Sequence, residues 1–154
     1  MTIHSTFFHN QETAQLLARL HQLCFSKPWD EEAFSKLLAG HGIVCQILQR
    51  DETPVGFCLY QIVEDEAEIL TLGIIPNARR RSNGLTLLLQ GENYLSAKKV
   101  SRLFLEVSSA NSAAVTLYGK CGFQEIGFRK NYYSEKNNKF DAIVMSKLLC
   151  KVNL

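Results

Sequence analysis

"LFLEVSSANSAAVTLYGKCGF", Leu103 to Phe123, changes its character midway. Through Val107 apolar and polar residues alternate, so Leu103, Leu105 and Val107 share one face of a strand. Phe104, Glu106 and Ser108 share the other, with Glu106 near the strand's C-terminal end. The following run, "NSAAVTLYGKCG", reads as a helix capped by Asn111 and closed by Gly122. Tyr118 lies seven residues beyond Asn111, about two turns at 3.6 residues per turn, and returns almost above it. One strand-to-helix connection thus presents a carboxylate, an amide and a phenol. Spacing alone also accommodates a solvated strand-end charge and a half-buried core aromatic.

Working outward, the same alternation of periods recurs. "STFFHNQETAQLLARLHQLCF" reads as a short strand and a helix, with Leu16, Leu17, Leu20 and Cys24 at helical spacing. "SKPWDEEAFSKLLAG" reads as a loop and a second helix, started by Asp30 and stopped at Gly40. Three strands follow as a meander: "IVCQILQ", "VGFCLYQIV" after a turn at "RDETP", and "AEILTLGII", which Pro76 ends. "NGLTLLLQGENYLSAKK" is a helix interrupted by Gly91. Beyond Gly122, "FQEIGFRKNYY" and "FDAIVMSKLL" are strands joined by the polar "SEKNNK". This order predicts an α/β (α+β) fold with some parallel pairing in its second half.

The bulk properties narrow the function classes. A chain of 154 residues suits one domain over residues 1–154, with 46% hydrophobic residues for a core. A net charge of +2 offers no field for coating nucleic acid or a membrane surface. The five cysteines, Cys24, Cys45, Cys58, Cys121 and Cys150, form no CxxC pair and read as small buried hydrophobes. His4, His9, His21 and His41 have no metal-ligand spacing, so no metal is expected. "MTIHSTFFHNQE" lacks the basic and apolar regions of a signal peptide, and no run reaches transmembrane length. A reduced, cytoplasmic setting is the expectation. "GHG", Gly40 to Gly42, is too short for a dinucleotide site and reads as a turn.

A second candidate site is "GIIPNARRRSNGLTLLL". A strand ends at Pro76, a basic loop follows, and a helix begins near Asn83. The first helical turn leaves backbone N–H groups unpaired, and its dipole favours an anion. Arg79, Arg80 and Arg81 add charge, and Ser82, Asn83 and Gly84 are small enough for a phosphate to approach the backbone. A solvated basic loop before a helix explains the same residues equally well.

Together these stretches resemble the GNAT family of N-acetyltransferases, and within it the group that acetylates the N-terminal alanine of a small-subunit ribosomal protein. The resemblance runs through nearly the whole chain. "RRRSNG", Arg79 to Gly84, resembles the family's cofactor motif, with Ser82 where the first glycine is usual. A rival register, "RSNGLT", would keep Gly84 as that glycine but put Thr86 at the small position. "LFLEVSSANSAAVTLYGKCGF", "RKNYY" and "DAIVM" resemble its later series, and "KPWDEEAF" the border of its acceptor groove.

The resemblance implies a mixed, mostly antiparallel sheet of about seven strands flanked by four helices. It implies acetyl-CoA as cosubstrate, held by Leu72, Gly73, Ile74, Arg79, Arg80, Arg81, Ser82, Asn83, Gly84, Leu85 and Asn111. Glu106 would serve as base and Tyr118 as acid. The acceptor would be a protein or peptide N-terminus lying between Phe25, Trp29, Tyr132 and Tyr133. A small-molecule amine acceptor and a CoA-binding module without turnover stay open. The sequence sets neither the oligomeric state nor a partner protein.

Overall fold

Seven strands and four helices form in the computed structural model, which describes residues 2–149. β1 (Ile3–Phe8) leads into α1 (Ala14–Cys24) and α2 (Glu31–Leu38). β2 (Ile43–Arg50), β3 (Thr53–Val63) and β4 (Glu66–Ile74) form the meander. α3 (Asn83–Ala97), β5 (Arg102–Ser108), α4 (Ser112–Lys120), β6 (Gln124–Glu135) and β7 (Asn138–Leu148) complete the chain. Two hairpins are tighter than the sequence suggests. Asp51 and Glu52 join β2 to β3, and Lys136 and Asn137 join β6 to β7, all four at positive φ. Such left-handed pairs match the twist of antiparallel strands, so the strands extend to the turn.

The sheet runs β1-β2-β3-β4-β5-β7-β6. All pairs are antiparallel except β4 with β5, which pair in parallel only from Glu66–Glu68 against Arg102–Phe104. β4 then continues to Ile74 and β5 to Ser108 without pairing to each other. A bulge in β4 lies where the strands part: Leu59 pairs with Thr71 and Tyr60 with Ile69, leaving Leu70 over. Bulges bend the strand that carries them. The sheet therefore opens between β4 and β5.

Helices cover both faces. Leu17, Leu20, Phe34 and Leu38 of α1 and α2 pack with Ile43, Cys45, Ile47, Phe57 and Leu59. On the other face Leu87, Leu88 and Leu95 of α3 and Tyr118 of α4 pack with Val44, Leu48, Cys58, Leu103 and Leu105. Burial on both faces explains why β2 and β3 read as continuous apolar runs rather than alternations. Each fully buried leucine contributes roughly 1.5–3 kcal/mol. Gly91, an interruption in the sequence, is a packing device. A Cβ there would collide with the Tyr60 hydroxyl and lie 2.8 Å from Gln46 Oε1. Those two side chains hydrogen-bond at 2.7 Å beneath α3.

Cys45, Cys58 and Cys121 are buried and Cys24 is half-buried, all with free thiols; Cys150 lies outside the described residues. Among the described residues no helix is long and apolar enough to cross a membrane.

Candidate active site

A cavity of about 1140 Å3 occupies the opening between β4 and β5. The ends of those strands, the starts of α3 and α4, and the loop after α1 line it. It gathers most of the residues the sequence singles out; Arg81 and Tyr132 are not among its lining residues.

At one end stands the N-terminus of α3. Ser82, the residue before the helix, makes no side-chain cap, unlike Asp30 before α2 and Asn111 before α4. The first N–H groups of α3 therefore receive no side-chain cap from Ser82. Ser82 and Arg80 both hold φ at 60°, a left-handed conformation that curls the loop around the helix start. Asn83 is buried and braces the loop from beneath: its Nδ2 donates to the Ala78 carbonyl at 2.8 Å, and its Oδ1 accepts from Arg50 at 3.2 Å. Arg79 turns back to β4, donating from Nε to the Ile74 carbonyl at 2.9 Å. Gly73 lets other groups close on β4, since a Cβ there would stand 2.8 Å from the Phe57 ring and 3.0 Å from Cys24 Sγ.

At the centre are Glu106 and Tyr118. The strand alternation puts Leu103, Leu105 and Val107 in the core and leaves Glu106 on the cavity side. Its Oε1 pairs with Arg129 Nε at 3.0 Å. Tyr118 is held by the helix end. Phe123 N–H donates to the Tyr118 carbonyl at 3.0 Å and Gly122 N–H to Gly119 at 3.1 Å, with Gly122 at φ 95°. That is the Schellman closure, in which glycine takes the left-handed position. The Phe123 ring meets the Tyr118 ring edge-on at 5.7 Å. Burial pushes the Tyr118 phenol well above its ordinary value near 10, so it keeps its proton at neutral pH. Asn111 caps α4, its Oδ1 accepting from Ala114 N–H at 3.2 Å, and still faces the cavity.

Tyr133 faces Glu106 from β6, and its phenol is pushed up by burial and then by the Glu106 charge. β6 loses register with β7 between Arg129 and Tyr133, with Asn131 at φ 54° and its N–H bonded to Asp141 Oδ1 at 2.9 Å. This bulge carries Tyr132 outward, where its ring meets Tyr133 edge-on at 5.2 Å and lies under Arg129 at 5.2 Å.

Phe25 and Trp29 stand half-exposed at the mouth. Between them lies buried His21, packed on by the rings of Phe25, Trp29, Phe34 and Phe57, with Thr71 Oγ1 at 3.1 Å. None of these neighbours titrates, and burial lowers the His21 pKa from 6.5 to about 4. The unfolded chain thus binds a proton here at higher pH than the folded one. Stability from this group is fully present above about pH 6.5 and falls away as pH drops toward 4. Urea midpoints measured across that window should decline with acid, and His21→Phe should flatten the decline.

His21, Thr71 and Arg129 escape sequence reasoning as site residues. A lone histidine at helical spacing has no signature, and Arg129 reaches Glu106 across an intervening strand, β7.

A seven-stranded sheet parted between two parallel strands, with a helix N-terminus at the gap, is an acetyltransferase architecture. The Acetyltransferase (GNAT) family model matches residues 14–123, and the chain belongs to that family. It is 33% identical over 137 residues to the [ribosomal protein bS18]-alanine N-acetyltransferase of Escherichia coli K12, covering 88% of this chain and 92% of that one. The Salmonella typhimurium enzyme of the same name is 33% identical over 128 residues, covering 83% and 86%. The crystal structure of the Escherichia coli ribosomal-protein-S18-alanine N-acetyltransferase superposes with a TM-score of 0.86 at 28% identity, over 97% of each chain.

Proposed function

We propose that this acetyltransferase moves an acetyl group from acetyl-CoA to the N-terminal α-amine of a protein, alanine first, with a small-subunit ribosomal protein as the acceptor its relatives suggest. The observation that carries the reading is the cavity shared by Glu106, Tyr118 and the uncapped start of α3. The residues suit the cosubstrate. Open N–H groups at Asn83 to Leu85, with Arg79 and Arg80 nearby, would hold its pyrophosphate. The parted edge of β4 at Leu72 to Ile74 offers backbone groups to its amide-bearing arm, and Asn111 borders it from α4. Bound acetyl-CoA supplies an activated acetyl group on a thiol leaving group.

The chain's own residues handle the protons. An α-ammonium, with a reference pKa near 8, must lose a proton before it attacks, and Glu106 accepts that proton through a water. A backbone N–H near Ile74 stabilises the charge developing on the acetyl oxygen. Tyr118 donates its proton to the departing sulfur, and the second proton that the nitrogen sheds as the amide forms returns to the Tyr118 oxygen through water. Phe25, Trp29, Tyr132 and Tyr133 flank the acceptor peptide.

The test uses two peptides that begin with alanine and contain one lysine, one of them blocked at its N-terminus, followed by intact mass. Acetylation of the free peptide alone is expected. Equal acetylation of the blocked peptide at lysine overturns the α-amine assignment. Transfer to a polyamine, with none to either peptide, hands the case to a small-molecule acceptor.

Ser82 supplies a further prediction. Ser82→Gly removes roughly 1 kcal/mol of left-handed strain, partly offset by the freedom glycine adds to the unfolded chain. Acetyl-CoA affinity by calorimetry should be unchanged or improved. A large loss would make the serine hydroxyl a ligand in its own right.

A further inference from the structure

We propose that His21 is a positioning residue that ties the acceptor loop, Phe25 to Trp29, to the strand carrying the thioester site. The Trp29 backbone N–H can only donate, and it donates to His21 Nδ1 at 3.0 Å. Nδ1 is therefore unprotonated, and the single ring hydrogen sits on Nε2, where it donates to Thr71 Oγ1 at 3.1 Å. Thr71 lies on β4 two residues before Gly73, at the bulge where the strand leaves β5. One imidazole thus bridges loop backbone and strand side chain.

Its faces finish the clamp. The ring stacks on Phe25 at 4.3 Å and 27°, and on Trp29 at 5.0 Å and 22°. Phe34 of α2 closes edge-on at 5.3 Å. The loop's other holds are the Phe25 N–H bond to the His21 carbonyl at 2.9 Å and the ring contacts of Phe25 with Phe57 at 6.5 Å and of Trp29 with Phe34 at 5.6 Å. Both aromatics stay over a third exposed. Only a neutral ring of this tautomer accepts from the loop, donates to the strand and stacks on both aromatics. His21 therefore sets the spacing between the mouth of the groove and the reacting end of β4. It shapes the acceptor's seat and leaves the pyrophosphate seat alone, an inference that rests on reading the 25–29 loop as the acceptor wall.

His21→Phe keeps the stacking and loses both bonds, whereas His21→Asn places Oδ1 about where Nδ1 stood and restores the bond to Trp29. With the alanine peptide, His21→Phe should raise acceptor KM about tenfold or more, as loss of a buried hydrogen bond does, while acetyl-CoA Kd stays within about twofold. His21→Asn regains the loop bond but reaches neither Thr71 nor the stacked rings, so it should recover only part of that rise. Trp29 is the only tryptophan, so acrylamide quenching of its emission reads the loop without turnover. Quenching should rise in His21→Phe and fall part of the way back in His21→Asn.

Unchanged quenching and KM in His21→Phe overturn the proposal. So does an acetyl-CoA affinity that falls in step with KM, or the absence of any recovery in His21→Asn. Should His21→Phe not fold, Thr71→Val keeps the ring, removes its strand partner and should raise the same two readouts. If the unaltered protein acetylates no peptide, the acceptor reading fails separately, and Trp29 quenching still decides whether His21 holds the loop.

Discussion

Tyr118→Phe is expected to fold, bind acetyl-CoA as the unaltered protein does, and lose roughly 100- to 10,000-fold in turnover, the usual worth of general acid catalysis. The substitution removes one hydroxyl and leaves the edge-on ring contact with Phe123 and the backbone closure at Gly122 in place. Burial holds the phenol proton firmly at neutral pH, so the group is present in its donating form. A nearby thiolate leaving group is more basic than the substrate thioester, and it draws that proton only as the bond to sulfur breaks. The loss should therefore fall on kcat, measured by thiol release at saturating acetyl-CoA and peptide. Turnover near the starting value would remove Tyr118 from the mechanism.

Glu106→Gln should cost on the order of 100-fold at neutral pH, and the deficit should shrink as pH rises past the amine's own value near 8. Above that pH the acceptor arrives already neutral, and the proton assigned to Glu106 is already gone. Glutamine is nearly isosteric, and Arg129 is largely exposed, so the lost ion pair should cost little stability. A deficit that stays constant from pH 7 to about 9.5, across the amine's titration, would mean that Glu106 positions rather than deprotonates.

Local signals carried much of the fold. Asp30 and Asn111 cap their helices through the bonds their positions promised, at 2.8 and 3.2 Å. The alternation at Leu103 to Val107 placed Glu106 off the core, because strand parity needs no tertiary information. What lay beyond reading was set by neighbours distant in sequence. Gly91 interrupts a helix pattern only until Tyr60 and Gln46 are seen beneath it. Ser82 departs from a glycine motif yet adopts the left-handed backbone that glycine favours. The partner of Glu106 depends on strand order, with β7 between β5 and β6, and chain order cannot give that. His21 became more than a core histidine only through two bonds to separate elements, Trp29 and Thr71.

The three-residue parallel contact between β4 and β5 has a mechanical meaning. Among the described residues it is the sole ladder joining the first four strands to the last three, so cooperativity across the sheet passes through a short hinge, supplemented by helix packing. An extended molecule seated in the gap as proposed, bonded to the β4 backbone and held against α4, would act as the missing rungs. Its binding energy then becomes folding energy for the two halves together, since whatever binds only the native state stabilises it by mass action. Amides flanking the opening should exchange with solvent through local parting when the gap is empty and only through larger unfolding when it is filled. Seated as proposed, the cosubstrate would be a temporary strand of the sheet it is consumed in.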